Sequence, residues 1–170
     1  AIGAAPEYRH EDEGWGIAFQ RPYPGHTDLS WHIIEQVVEN EFDPVTCQSM
    51  LVDHAVAVPF ELCWPGDEPF TTKLVPIAIN TVQHPLPSPK RCHDLGKAVG
   101  SAIESYGSDE KVVVFGTGGL SHQLQGERAG IIDVEFDLQC IDKIINEPEW
   151  MTGLSNDYIM EKAGTEGIEV

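Results

Sequence analysis

The sequence predicts an α/β fold, a layered mixed β-sheet flanked by helices, as one domain over residues 1–170. Short apolar runs rich in β-branched residues alternate with segments of helical period, the pattern of layered strands and helices. The clearest strand is Lys111-Val-Val-Val-Phe115, which looks buried on both faces. Gly116, Gly118 and Gly119 break it at once. A break after a buried strand delivers the next residues to the carboxyl edge of a sheet, where open α/β folds hold ligands. At 170 residues, 41% hydrophobic and 22% charged, the chain can bury a core.

The elements follow in order. Residues 6–27 are rich in Pro, Gly and charge and read as an extended loop. Thr27 or Asp28 caps a helix running to about residue 41, with Leu29, Ile33, Val37 and Val38 on one face. Residues 45–52 read as a strand ending at Asp53 and His54, and 55–63 as a short helix despite Pro59. Residues 64–69 form a turn. Residues 73–82 read as a buried strand, with Pro76 arguing for an edge or a bulge. After the rigid Pro85-Leu-Pro-Ser-Pro89, a helix runs from residue 89 or 90 to 105, with Leu95, Val99 and Ile103 inward. Residues 133–146 are strongly amphipathic, with Phe136, Cys140, Ile141 and Ile144 on the apolar face, and 156–163 form a second short helix.

Charge narrows the function. The formal net charge is −18, from 28 acidic and 10 basic residues, which repels phosphate backbones and anionic lipid. No apolar run approaches the length of a spanning helix, and no signal peptide is visible. Nucleic-acid and membrane partners are therefore not expected. Cys47, Cys63, Cys92 and Cys140 have no C-x-x-C spacing, so reduced thiols in a cytoplasmic protein are expected rather than a zinc site.

The chemistry centres on His122, beside Ser121 in the glycine-rich loop, because histidine can act as acid or base near neutral pH. A buried, hydrogen-bonded histidine after a simple turn accounts for the spacing equally well. Gly116-Thr-Gly-Gly119 has neither G-x-G-x-x-G spacing nor a P-loop lysine, and Ser121 is not framed as G-x-S-x-G. A hydrolase or phosphate binder built on this loop is thus the weakest reading.

The runs Asp12-Glu-Gly-Trp-Gly16, Gly25-His-Thr-Asp-Leu29, Glu41-Phe-Asp43, Val52-Asp-His54, Lys90-Arg-Cys92, Gly116-Thr-Gly-Gly-Leu-Ser-His-Gln-Leu-Gln-Gly126, Arg128-Ala-Gly130, Glu135-Phe-Asp137 and Glu166-Gly-Ile-Glu169 follow one another over nearly the whole chain. Together they resemble the catalytic subunits of class III extradiol ring-cleaving dioxygenases. The resemblance implies a catecholic aromatic acid such as protocatechuate as substrate, with gallate or methylgallate as the alternative. It implies non-haem Fe(II) held by two histidines and a glutamate, with O2 as co-substrate, and a small helical partner subunit in a hetero-oligomer.

Carried over residue by residue, the resemblance makes Glu169 the carboxylate ligand to iron. It makes His122 the acid–base histidine, and His54 a second active-site histidine near the metal. On sequence alone, Glu169 would be one solvated acid among many, and His54 a core histidine bonded to backbone. The two histidine ligands fall in an N-terminal segment not matched by this chain. His10, His26, His32, His84 and His93 do not match them, and His26 and His32 read as surface or capping residues. The start at Ala1 without methionine, and the stop in Gly167-Ile-Glu-Val170, predict an incomplete copy of a larger protein. A non-catalytic piece that acts only as a structural partner is the competing reading.

Overall fold

The computed structural model describes residues 1–13, 21–81 and 83–170. Among these the chain is mixed α/β, with small sheets flanked by helices, and divides into two compact units. The first comprises residues 1–78 and 98–117, the second 79–97 and 118–170.

In the first unit, β1 (Ile2–Gly3) pairs parallel with β4 (Thr46–Cys47). A three-stranded sheet has β2 (Glu7–His10) at its centre, antiparallel to β3 (Tyr23–Pro24) and parallel to β5 (Leu51–Val52). Strands β2 and β3 fall within the loop expected over residues 6–27, of which 14–20 lie outside the described residues. Prolines masked a period-two pattern in which Tyr8 is buried between exposed Glu7 and Arg9. Pro24 is tolerated because β3 is an edge strand. The single strand expected over 45–52 is instead β4 and β5, which pair with different partners.

The strand expected over 73–82 shrinks to single bridges at Leu74 and Ile77, and Val82 lies outside the described residues. Pro76 has no N–H to donate, although its carbonyl accepts from the Gly3 N–H at 2.9 Å. The largest departure is residues 111–115. They form no strand pairing among the described residues, and Val113, Val114 and Phe115 are exposed. β-branched residues favour extended backbone, but a strand also needs a neighbour to receive its hydrogen bonds, and no described segment supplies one.

Helix α1 (Thr27–Glu39) buries Leu29, Ile33, Ile34 and Val37, while Val38 is exposed. Its cap is His26, whose ring accepts from the Leu29 N–H at 3.3 Å, rather than Thr27 or Asp28. Its C-terminus closes with Glu41 N–H to the Val38 carbonyl and Phe42 N–H to the Val37 carbonyl. His32 reaches the Ala102 carbonyl and the Ser105 hydroxyl, both at 3.0 Å. It therefore ties α1 to the last turns of α3 (Pro89–Ser105), a helix that begins in the second unit and ends in the first.

Tyr8, Tyr23, Val52, Phe60 and Phe70 form the core of the first unit. Tyr23 stacks on Phe70 at 5.2 Å and meets Phe60 edge-on at 5.5 Å, a geometry that suits aromatic quadrupoles. Burial, with the Glu61 carboxylate adding to it, pushes the Tyr23 phenol up to about 12.

The second unit packs α4 (Val134–Asn146) on α5 (Asn156–Ala163) through Phe136, Cys140, Ile159 and Ala163. Asp133 caps α4, its carboxylate accepting from the Phe136 N–H at 3.0 Å. Ile141 and Ile144, expected inward, are exposed. The apolar face of α4 is wider than the area its neighbours cover, so only Phe136 and Cys140 reach the core. Burial, reinforced by Asp137, raises the Cys140 thiol to about 11.

Candidate active site

The candidate residues form two clusters, one in each unit. His54 is the first residue of α2 (His54–Cys63), directly after β5 and the capping Asp53, whose carboxylate accepts from the Ala55 N–H at 3.1 Å. The helix tolerates Pro59 at the loss of one backbone bond. The His54 ring is more than half exposed. Glu13 holds it at two points. One carboxylate oxygen accepts from the His54 backbone N–H at 2.7 Å, and the other lies 2.7 Å from Nδ1. The buried His10 ring completes the cluster, with Nε2 3.3 Å from the same carboxylate. Desolvation alone would raise the Glu13 carboxyl. The hydrogen bonds and charge from His54, with help from His10, outweigh it and leave the group below the usual carboxylate range. Of the Asp12-Glu-Gly-Trp-Gly16 run, residues 14–16 lie outside the described residues.

The second cluster is built on glycines. His122 is fixed by backbone: its N–H donates to the Ala163 carbonyl at 2.8 Å, and Nδ1 lies 2.7 Å from the Leu120 carbonyl. A carbonyl can only accept, so in neutral His122 Nδ1 carries the proton and Nε2 the lone pair. Ser121 beside it is buried. Its hydroxyl and N–H donate to the two oxygens of Asp137, at 2.7 and 2.9 Å, and the hydroxyl accepts from the Asp133 N–H at 2.8 Å. The loop is thereby tied to the first turn of α4. Arg128 donates to the Met160 and Glu161 carbonyls of α5.

Glu169 ends a short 3₁₀ turn (Gly167–Glu169). It is exposed, and its carboxylate accepts from the Gly119 N–H at 3.3 Å. A Cβ on Gly119 would stand 2.9 Å from His122 Cε1, and one on Gly118 would stand 2.3 Å from the Glu169 carbonyl oxygen. The two glycines thus let His122 and Glu169 approach the same stretch of backbone. Gly164, at φ +90°, does the same behind His122: a Cβ there would meet the His122 carbonyl oxygen at 2.5 Å. The nearby Glu166 carboxyl is lowered, first by the Thr165 hydroxyl and also by His122.

Among the described residues, no group of three or more His, Cys, Asp or Glu side chains is arranged to hold a metal ion. Glu169 offers one carboxylate, and the residues described do not make up a ligand set around it. His93 lines a cavity of about 250 Å³ in the second unit with Cys92, Ile144 and Met151. Ile168 and Val170 also line it, but Glu169 between them does not.

The family described as the catalytic LigB subunit of aromatic ring-opening dioxygenase matches residues 1–170. The chain belongs to this family. Among LigB relatives, gallate dioxygenase of Pseudomonas putida is 37% identical over 159 residues, covering 94% of this chain and 47% of the relative. The 2,3-dihydroxyphenylpropionate/2,3-dihydroxicinnamic acid 1,2-dioxygenase of Comamonas testosteroni is 32% identical over 97 residues, 56% of this chain and 29% of the relative. A second such enzyme from Pseudomonas putida is 40% identical over 89 residues, 51% and 26%. This LigB chain spans less than half the length of these relatives. No helix among its described residues is long and apolar enough to cross a membrane.

Glu13 and the Ser121–Asp137 link were not identified from sequence as parts of the site. Glu13 lies inside a run singled out for resemblance, and that was the available signal. Asp137 lies in another, Glu135-Phe-Asp137, but nothing in its spacing pointed to Ser121.

Proposed function

We propose that this chain carries the acid–base groups and one metal-binding carboxylate of an extradiol dioxygenase. The enzyme would open a catecholic aromatic acid with O2. The carbon–carbon bond next to the two hydroxyl-bearing carbons breaks, both oxygen atoms enter the product, and no outside reductant is consumed. The observation that carries this reading is the convergence of His122 and Glu169 on Gly118 and Gly119. An acid–base group beside an exposed carboxylate is the pairing that such chemistry needs.

His122 is the acid–base residue. With Nδ1 engaged by the Leu120 carbonyl, Nε2 is the atom that takes the proton of the substrate hydroxyl and returns it as the ring opens. His54 is the second active-site histidine, near the metal. Fe(II) is the proposed cofactor, and when bound it supplies open positions for the catechol and O2. Glu169 is the one ligand assigned to it here. A small helical subunit, a hetero-oligomer, a single domain over residues 1–170 and a cytoplasmic location complete the proposal.

Gallate is placed ahead of protocatechuate because the relative that covers 94% of the chain is named gallate dioxygenase. A second reading, a structural piece without activity of its own, is favoured by the lack of a three-residue metal cluster among the described residues.

The test is oxygen uptake by the full-length protein with Fe(II) and gallate, protocatechuate or 2,3-dihydroxyphenylpropionate. Uptake is expected with gallate or protocatechuate, with one O2 consumed per ring. No uptake with any of the three overturns the enzymatic reading. Glu169→Gln should lower iron content, because a neutral amide is a poorer donor to a hard cation. Glu166→Gln should not.

A further inference from the structure

We infer that Glu13 is the positioning residue of His54: its carboxylate holds the imidazole as the Nδ1–H tautomer and so makes Nε2 the basic nitrogen. The importance of that nitrogen for turnover rests on the function proposed above, but the tautomer itself does not.

The geometry distinguishes this role from simple helix capping. The start of α2 needs acceptors for its backbone N–H groups, and Asp53 already takes that of Ala55 at 3.1 Å. Glu13 takes that of His54 at 2.7 Å, which completes a capping role with one oxygen. Its other oxygen lies 2.7 Å from Nδ1, a contact that capping does not require. An ionised carboxylate only accepts, so the proton of that bond belongs to the ring. Holding backbone and ring of one residue with a single carboxylate also fixes χ1 and χ2, because both ends of the side chain are pinned. His10, 3.3 Å from the same carboxylate, limits how far Glu13 can swing away.

The consequence is directional. The hydrogen bond made by one imidazole nitrogen decides which nitrogen of a neutral ring can take a proton. With Nδ1 committed to Glu13, proton traffic at His54 passes through Nε2. Removing the carboxylate takes away the acceptor of the Nδ1 proton, so the Nε2–H tautomer gains population.

The experiment uses the protein labelled with ¹⁵N-histidine and reads ring nitrogen shifts at a pH where His54 is neutral. In the wild type, His54 should show a protonated Nδ1. In Glu13→Ala that signal should be lost to a mixture with protonated Nε2. The His122 pattern should stay unchanged in the same spectrum, which reports that the fold is intact. Glu13→Gln keeps one accepting oxygen and should restore the Nδ1–H form in part; it serves as the working variant if Glu13→Ala does not fold.

In the full-length enzyme, Glu13→Ala should lower kcat by about 10- to 100-fold, the scale seen when a partner that orients a histidine is removed, with KM little changed. An unaltered His54 tautomer in both variants overturns the inference. A shifted tautomer in a protein that turns over none of the three substrates leaves this inference standing and defeats the proposed function instead.

Discussion

His54 and His122 reach the same chemical state by different means. In both, Nδ1 faces an acceptor and carries the proton of the neutral ring, but the acceptor is the Glu13 carboxylate in one case and the Leu120 carbonyl in the other. The first device is a side chain that a single substitution or added acid can remove. The second is main chain, set by where the glycines let the loop run, and no side-chain change at position 120 deletes it. A tautomer can thus be fixed by titratable or by non-titratable chemistry, and only the first answers to pH.

The largest effect should come from removing the backbone-held ring. In the full-length enzyme, His122→Ala should cut ring cleavage by a factor of about 10² to 10⁴, the usual scale of general acid–base catalysis, with iron content unchanged. Iron loss in step with activity would make His122 a ligand and end its likeness to His54.

Gly164→Ala should come next. It disturbs His122 without touching the ring, because the new methyl meets the His122 carbonyl oxygen in a backbone conformation at φ +90°. A loss of about 1–3 kcal/mol is expected, the scale of a residue forced into a sparsely populated region. Urea denaturation followed at Trp150 would measure it. An unchanged midpoint would mean that the loop does not depend on this close approach.

The smallest effect should be an acid sensitivity confined to the carboxylate-held histidine. Glu13 titrates below its ordinary value of 4.5 when folded, so its contribution is present above that value and is lost as pH falls through the lower folded one. Wild type should lose stability more steeply than Glu13→Gln below about pH 4.5. Equal slopes in the two proteins would remove the contrast.

Much of this was legible in the sequence where local chemistry decides the outcome. Helix α5 has the limits read from residues 156–163, and α3 starts at the proline that predicted it. What failed depended on partners. Residues 111–115 carry strand-forming side chains but lack a described neighbour, and Ile141 and Ile144 carry helical periodicity without a surface to cover them. β2 was hidden for the opposite reason: Tyr8 and Tyr23 find each other across strands, while the prolines around them spell a loop. Glu13 eluded the reading because a capping and tautomer-setting carboxylate has no periodicity, and the contact spans 41 residues.

The bare segment around Val113, Val114 and Phe115 has a further, colloidal consequence. Three adjacent exposed apolar side chains, two of them β-branched, offer a surface to another chain, and at low ionic strength a net charge of −18 keeps copies of the chain apart. Salt shortens the range of that repulsion from roughly 30 Å at 0.01 M to about 3 Å at 1 M, while leaving apolar attraction in place. The chain should therefore stay dispersed in dilute buffer and self-associate as salt is raised, the reverse of a molecule held together by ion pairs.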